Sequence, residues 1–148
     1  MGFDAKTKDY KVVRIVDITD HDDYYIHVLK AEVYRHSSDS WIEIDYEMTD
    51  IWHITCFDIF FNGAVYWDAH YNDCEKFLSF NFTTEKFQEF GFPYECDEKG
   101  KTLTILNESL AMISHENPLT LIDEQYINVW RMRAVSYTHL TLPTIYSV

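Results

Sequence analysis

The sequence predicts an all-β fold, and three observations carry this prediction. Apolar and polar residues alternate with a period of two along most of the chain, and helical periodicity is nearly absent. The apolar segments are short and rich in β-branched and aromatic residues, which favour strands. Clusters of Asn, Asp, Gly, Ser and Thr separate these segments roughly every 8–12 residues, which is typical of sandwiches, barrels and propellers.

The strands can be placed in order because turn-forming residues bound each of them. The early segments consist largely of Val, Ile and Tyr, and the later ones alternate Phe, Leu or Ile with polar residues. Turn clusters such as Ser37–Ser40, Asn62-Gly63 and Lys99-Gly100 lie between them. The predicted strands are Tyr10–Val16, Tyr25–Tyr34, Trp41–Ile44, Phe57–Phe61, Val65–Trp67, Leu78–Phe80, Phe87–Phe90, Leu103–Leu106, Leu110–Ile113 and Ile127–Trp130.

Three pairs of aromatic residues share one spacing, with six residues and a polar centre between the two rings. Residues that are seven positions apart face each other across a hairpin with an even-length loop. Each such cross-strand pair stabilises its hairpin by roughly 0.2–1 kcal/mol. The spacing therefore predicts three hairpins, closed by the pairs Phe3/Tyr10, Tyr34/Trp41 and Phe80/Phe87.

A second repeat indicates how the strands are grouped. Asn62-Gly63 and Asn107-Glu108 each predict a tight turn that leads into an apolar strand. These turns are 45 positions apart, and Tyr34 and Phe80 are 46 positions apart. Both intervals are close to the length of one four-stranded propeller blade, about 40–50 residues. The sequence therefore predicts a kelch-like partial β-propeller of short antiparallel strands, with about three blades.

The C-terminal segment differs from the rest of the chain. Ala134–Val148 contains no charged residue, although 25% of the whole chain is charged, and the turn rhythm stops there. A last buried strand with a loose end explains this composition, and so does sequence that is foreign to the domain. We therefore divide the chain into a domain of residues 1–133 and an atypical tail of residues 134–148. A non-native origin of this tail stays open, and we expect the tail to be dispensable.

Composition and charge exclude several classes of protein. A chain of 148 residues that is 47% hydrophobic and 17% aromatic can bury one core and is not disordered. It contains no apolar run of roughly 20 residues and no export signal at its start. Three scattered cysteines favour a reducing compartment, so we expect the cytoplasm or the nucleus. A net charge of −13 disfavours nucleic acid and anionic membranes and favours a basic protein partner.

No catalytic, cofactor or metal site is predicted. Asp20–Asp23 lacks the alternating ligands and the glycine of a calcium loop. His70 and Cys74 come closest to the spacing of zinc ligands, but no second pair completes a site. The chain also lacks a nucleophile elbow and a Gly-rich phosphate loop. We therefore predict that it is not an enzyme.

Recognition through loops on a rigid β frame is the function that composition and pattern favour. The candidate loops are Asp17–Tyr25, Tyr46–His53, Asp68–Cys74 and Tyr94–Lys101, although any one of them taken alone could be an ordinary connection. Their acidic residues would attract a basic protein, and their aromatic residues would supply lasting contacts. The candidate contact residues are Asp20, Asp22, Asp23, Tyr24, Tyr25, Trp52, His53, His70, Tyr71, Tyr94, Asp97 and Glu98.

Six blocks of sequence, in order over residues 2–132, resemble the F-box-associated domain of plant F-box proteins. Asn81 stands where that family usually has Asp. Tyr10–Arg14 and Leu106–Leu110 are similar to the S-locus F-box branch in particular. The six blocks are Gly2–Arg14, Glu32–Tyr34 with Ser38–Ile44, Phe61–Trp67, Leu78–Phe87, Leu106–Leu110 and Ile127–Met132.

The resemblance implies a substrate-receptor domain of a cullin-RING ubiquitin ligase, without catalytic residues of its own. Such a domain holds a target protein while an F-box, which this chain lacks, binds the ligase adaptor and through it the cullin. In the S-locus branch the targets are basic ribonucleases of self-incompatibility. Because closed propellers usually begin with four blades, we expect a fragment that is poorly soluble or oligomeric on its own.

Two other interpretations stay open. A propeller frame can carry a carbohydrate-binding or other ligand-binding site in which aromatic residues such as Trp52 and Trp67 stack on the ligand. Burial of both tryptophans inside a blade would remove this possibility, and a glycan array distinguishes the two. An inert product of gene duplication is the third interpretation.

Overall fold

Twelve strands and one short 3-10 turn, His36–Ser38, make up the part of the chain that this computed structural model describes. The described residues are 1–18, 29–48, 50–72, 74–92, 100–115, 127–133 and 136–142. None of them forms a helix with the length and hydrophobicity that crossing a bilayer requires. The strands are β1 (Gly2–Asp4), β2 (Asp9–Asp17), β3 (Leu29–Arg35), β4 (Ser40–Ile44), β5 (Ile51–Phe61), β6 (Ala64–Tyr71), β7 (Glu75–Asn81), β8 (Lys86–Gly91), β9 (Gly100–Leu106), β10 (Ser109–His115), β11 (Ile127–Arg133) and β12 (Ser136–Leu142).

The strands form three four-stranded antiparallel sheets, each built from consecutive strands in chain order. The first sheet is β1–β4, the second is β5–β8 and the third is β9–β12. Four antiparallel strands in simple succession are the blade unit of a propeller. The predicted all-β fold of short antiparallel strands is therefore confirmed.

The three aromatic pairs lie across their hairpins, as the spacing predicted. The ring centroids are 5.0 Å apart in the first pair, 5.5 Å in the second and 4.9 Å in the third. The three four-residue loops that they close also share one backbone feature. The last residue of each loop, Lys8, Asp39 or Glu85, has a positive φ of 54°, 47° or 53°.

The two tight turns are also confirmed. Phe61 pairs with Ala64 around Asn62-Gly63, and Leu106 pairs with Ser109 around Asn107-Glu108. Both central residues of each turn have positive φ: 47° and 75° in the first, 47° and 55° in the second. This backbone twist matches that of the flanking strands, so a two-residue loop can join them.

The first two sheets form one compact unit, Met1–Gly91, and share a hydrophobic core. Inward-facing residues of β3 pack against those of β6 and β7. Along each strand, inward-facing residues alternate with residues that point to the opposite face. The fully buried core residues of this unit include Ala31, Val33, Val65, Ala69, Leu78 and Phe80.

The third sheet belongs to the second unit, Phe92–Val148. Among the side chains that the structure describes in this sheet, the buried ones include Leu110, Ala111 and Met112 of β10 and Val129 and Trp130 of β11. β12 lies within the predicted tail and pairs with β11 over seven residue pairs, from Arg133/Ser136 to Ile127/Leu142. The dispensability of residues 134–148 and the domain boundary at residue 133 remain predictions.

Candidate functional site

In the first two sheets, the tight hairpins lie at one end of the strands and the longer connections at the other. Antiparallel strands alternate in direction, so the β1–β2, β3–β4, β5–β6 and β7–β8 turns share an end, here called the hairpin end. The last residues of β2, the first residues of β3, the last residues of β6 and the residues that follow β4 lie at the opposite end, here called the loop end. Three predicted recognition loops, Asp17–Tyr25, Tyr46–His53 and Asp68–Cys74, have their described residues at the loop end, and residues 19–25, 49 and 73 lie outside the described part of the chain.

The structure describes three of the predicted contact residues completely: His53, His70 and Tyr71. Trp52 has its backbone in β5, and its side chain lies outside the description. The other eight lie outside the described residues, and their roles stay predictions. They are Asp20, Asp22, Asp23, Tyr24, Tyr25, Tyr94, Asp97 and Glu98.

His53 and His70 are brought together at the loop end of the second sheet. They are cross-strand partners on β5 and β6, and their ring centroids lie 5.4 Å apart. Nδ1 of His70 lies 3.3 Å from Oε1 of Glu75. The side chain of His53 is exposed and that of His70 is half-buried, so both can be reached from solvent.

Tyr71 has a different environment, because its ring packs against the core of the first unit. The ammonium of Lys76 lies 4.5 Å from the centre of the ring. Burial raises the pKa of the Tyr71 hydroxyl well above its ordinary value. Its backbone N–H donates to the carbonyl of Cys74 at 2.8 Å and closes the β6–β7 turn. Tyr71 therefore anchors the β6–β7 turn to the core.

A cleft of about 350 Å³ opens between the first two sheets near the loop end. Its walls combine apolar and polar side chains, and β2 turns every second side chain, including Val13 and Ile15, toward it. Asp17, His53 and Thr55 add polar groups to this lining. Thr55 is fixed there, since its hydroxyl donates to the backbone carbonyl of Asp68 at 3.3 Å. The remaining lining residues are Leu29, Ile54 and Trp67.

Trp67 contributes to both the cleft and the core. It is half-buried, lies against both hydrophobic clusters of the first unit, and its ring centroid is 6.4 Å from that of Phe87. Such packing fixes the orientation of the indole. Part of the ring remains at the cleft, where a ligand can contact it.

The connection from β4 to the second sheet is anchored by Glu89 on β8. The hydroxyl of Tyr46 donates to Oε1 of Glu89 at 2.8 Å, and the ammonium of Lys76 donates to Oε2 at 2.9 Å. Burial and this carboxylate raise the pKa of Tyr46. Burial alone would raise the pKa of Glu89, but its hydrogen bonds outweigh that effect and lower it. The loop is thereby tied to the rigid frame.

Sequence reasoning missed a buried ionic network at the hairpin end. Nζ of Lys11 lies 2.9 Å from Oδ2 of Asp4 and 2.9 Å from Oε1 of Glu85, and it donates to the carbonyl of Phe82 at 2.7 Å. Nε of Arg35 donates to Oε1 of Glu85 at 2.9 Å. Residues of both sheets therefore meet in one cluster of opposite charges.

Hydroxyl groups complete the network around its two aspartates. Asp4 accepts hydrogen bonds from Thr7 at 2.6 Å and from Thr83 at 2.8 Å. The backbone and hydroxyl of Ser37 both donate to Asp9, at 2.9 and 2.6 Å. The Lys11 ammonium and the Thr7 hydroxyl hold the pKa of Asp4 well below its usual range. The polar residues between the paired aromatic residues indicated that charged groups lie in these hairpin loops. Spacing alone does not show which of the loops contact one another.

The described residues bring together no group of three His, Cys, Asp or Glu side chains that could hold a metal ion. Cys74 is exposed as a free thiol at the β6–β7 turn. The loop end thus offers a cleft lined by both apolar and polar side chains. This arrangement is suited to binding a ligand or a protein segment.

Comparison with known proteins gives one consistent result. The family model of the F-box associated beta propeller domain matches residues 1–144. The chain is 27% identical to an F-box/kelch-repeat protein of Arabidopsis thaliana, over 95% of this chain and 39% of that protein. It is 28% identical to another F-box protein of that plant, over 88% of this chain and 36% of that protein.

A further relative differs in its description. A jacalin-related lectin of Arabidopsis thaliana is 37% identical over 42% of this chain and 14% of the lectin. The chain spans less than half the length of the curated relatives that it matches.

Proposed function

Because the chain belongs to the F-box associated beta propeller domain family, we propose that it is the substrate-recognition domain of an F-box protein. In this proposal it holds a target protein at the loop end for ubiquitination. The F-box of the complete protein would bind the ligase adaptor and, through it, the cullin. The domain itself contributes recruitment and no catalysis.

The cleft between the first two sheets is the observation that carries this proposal. It combines apolar side chains with the polar groups of Asp17, His53 and Thr55, and strands of both sheets build it. Residues on rigid strands hold their positions before a partner arrives, which lowers the entropic cost of binding. Two of the predicted recognition loops begin or end at a residue that lines this cleft, Asp17 or His53.

The proposed target is a basic protein, and within the S-locus branch a basic ribonuclease of self-incompatibility. The net charge of −13 sets up a negative potential that attracts such a partner. Asp17 places one carboxylate within the cleft lining itself. A Lys or Arg side chain of the target would lie there, with its aliphatic part against apolar side chains such as Val13 and Ile15.

Binding of a basic ribonuclease to the immobilised full chain tests this proposal. We expect saturable binding that the double substitution Asp17→Asn with His53→Ala weakens at least about tenfold. The same two substitutions at the hairpin end, Asp39→Asn with His36→Ala, form the matched control and should leave affinity within about twofold. Equal effects of both double variants would contradict recognition at the loop end. Absence of binding by the unmodified chain would contradict this class of target.

A carbohydrate ligand is a second candidate, and the similarity to part of a jacalin-related lectin is the observation that favours it. Trp67 would offer the exposed part of its ring to the apolar face of a sugar, with Asp17 as a hydrogen-bond acceptor. A glycan array distinguishes the candidates. Saturable binding to defined glycans, lost in the Asp17→Asn variant and without ribonuclease binding, would favour the sugar.

A further inference from the structure

The outer edge of the first sheet is an unpaired strand. β4 pairs with β3 along one side, and no strand of the described residues pairs with its other side. Edge strands usually carry Lys, Pro or a bulge, which prevent another chain from pairing with them. β4 has a regular register, and Glu43 is its only charged residue. The outer strand of the second sheet, β8, carries both Lys86 and Glu89.

Two large apolar side chains are exposed along the β4 edge: Trp41 is 43% exposed and Ile42 is 37% exposed. The guanidinium of Arg14 lies 4.2 Å from the centre of the Trp41 ring, and the ring centroid of Tyr34 lies 5.5 Å away. These contacts hold the indole in one orientation, so a partner loses little entropy in packing against it. The edge therefore offers a fixed apolar contact next to unpaired backbone groups.

Acidic side chains continue this exposed face beyond Trp41 at every second residue. Glu43, Asp45 and Glu47 are exposed, and the residues between them face inward or lie half-buried. Lys30 neutralises Glu43, with Nζ 3.1 Å from Oε1. Within the described part of the chain, no ion pair is formed by Asp45 or Glu47. An extended partner with basic residues at alternate positions would complement this face.

A groove of about 190 Å³ lies beside these carboxylates. Its apolar lining comes from Leu29 and from the inward residues Ile44, Tyr46 and Met48. An apolar side chain that alternates with the basic residues of an added strand could enter it, because successive side chains of a strand point to opposite faces. The unpaired backbone groups of β4, the acidic side chains and the apolar groove therefore lie next to one another.

We propose that the β4 edge binds an extended basic segment of a partner protein, which adds a fifth strand to the first sheet. Main-chain hydrogen bonds to β4 would supply affinity, and the acidic face would select Lys or Arg at alternate positions. Leu29 lines both this groove and the cleft at the loop end, so the two surfaces adjoin. The inference does not depend on what binds in the cleft.

A peptide of roughly nine alternating Val and Lys residues is the probe, tested by calorimetry against the full chain. We expect saturable binding that weakens as salt rises, since salt screens the carboxylates. A second peptide of the same sequence carries N-methyl groups on alternate amides, on the edge that would pair. It keeps its charge but cannot form the ladder, so its binding should fall at least about tenfold. Equal binding of both peptides, or no binding of the first, would overturn the proposal.

Variants of the chain locate the site. Ile42→Lys places a charge on the open edge and should weaken peptide binding at least about tenfold. The matched control Gln88→Lys, on outer strand β8, should leave it within about twofold, and thermal melts confirm that both variants fold. Equal weakening by the two substitutions would overturn the proposal. If light scattering shows a dimer that Ile42→Lys converts to a monomer, the occupant is a second copy of the chain and a basic partner segment is ruled out.

Discussion

Lys11 on β2 and Asp4 on β1 form an ion pair that is almost fully shielded from water. Nζ lies 2.9 Å from Oδ2, and the two side chains are 4% and 0% exposed. The same ammonium reaches Glu85 on the β7–β8 loop, so one cation holds a carboxylate of each sheet. The free-energy cost of desolvating such charges is about as large as the free energy gained from their attraction. The pair therefore specifies how the two sheets meet at the hairpin end more than it stabilises them.

Removing the buried cation should be strongly destabilising. In Lys11→Met, the carboxylates of Asp4 and Glu85 remain without their shared partner, and we expect the free energy of unfolding to fall by about 3–5 kcal/mol. Urea unfolding followed by fluorescence measures it. Lys30→Met is the control, because its ion pair with Glu43 is exposed and should be worth less than about 1 kcal/mol. Equal losses in the two variants would contradict a buried network.

The same network predicts loss of stability in acid. The pKa of Asp4 and of Glu85 is lowered in the folded chain from ordinary values of 3.8 and 4.5. Their contribution is complete above these ordinary values and is lost as pH falls below them through the lowered pKa of each group. Melting temperature should therefore fall steadily below about pH 4.5. The acid branch should be shallower in Asp4→Asn, and an unchanged profile would count against the network.

Substitutions in the two tight turns should change the stability of the protein in opposite directions. Gly63 has a φ of 75° with no atom within 4 Å of an added Cβ, so Gly63→Ala should cost about 1 kcal/mol through backbone strain alone. Glu108 occupies the matching position of the third sheet with a φ of 55°, and Glu108→Gly should relieve similar strain. Gly91→Ala is the control, because its surroundings are equally open without a positive φ. Thermal melts compare the three variants.

The aromatic pairs should be energetically coupled. The rings of Phe3 and Tyr10 are 5.0 Å apart and both are exposed, so their contact can be removed without opening a core cavity. A double-mutant cycle with Phe3→Ala and Tyr10→Ala should give a coupling free energy of about 0.5–1.5 kcal/mol. The cycle of Phe3→Ala with Phe90→Ala pairs rings on different sheets and should give a value near zero.

Charged and aromatic residues of the predicted recognition loop Asp17–Tyr25 should affect different rate constants. Neutralising Asp20, Asp22 and Asp23 should slow association with a basic ribonuclease and flatten its salt dependence, because charges steer the encounter. Truncating Tyr24 or Tyr25 should instead speed dissociation. Surface plasmon resonance at two salt concentrations separates the rates. Association that does not respond to salt would contradict steering.

Much of the fold could be predicted from local sequence, because hairpins form between neighbouring residues. The spacing of Tyr34 and Trp41 implied both their pairing and the loop length, and Asn62-Gly63 implied a two-residue turn. Such features depend on backbone geometry within about ten residues, which the sequence expresses directly. Strand order within each sheet followed, since consecutive antiparallel strands with short connections pair with each other.

The sites were decided by contacts between distant residues. Lys11 and Glu85 are 74 positions apart, and nothing in either hairpin shows that they meet in a buried cluster. The cleft is lined by Asp17 of the first sheet together with His53 of the second. The sequence by itself therefore determined the blades and the acidic character of the chain. Only the docking of one sheet on the other decided which charges are buried and which polar groups share a cleft, because burial depends on what packs opposite each strand.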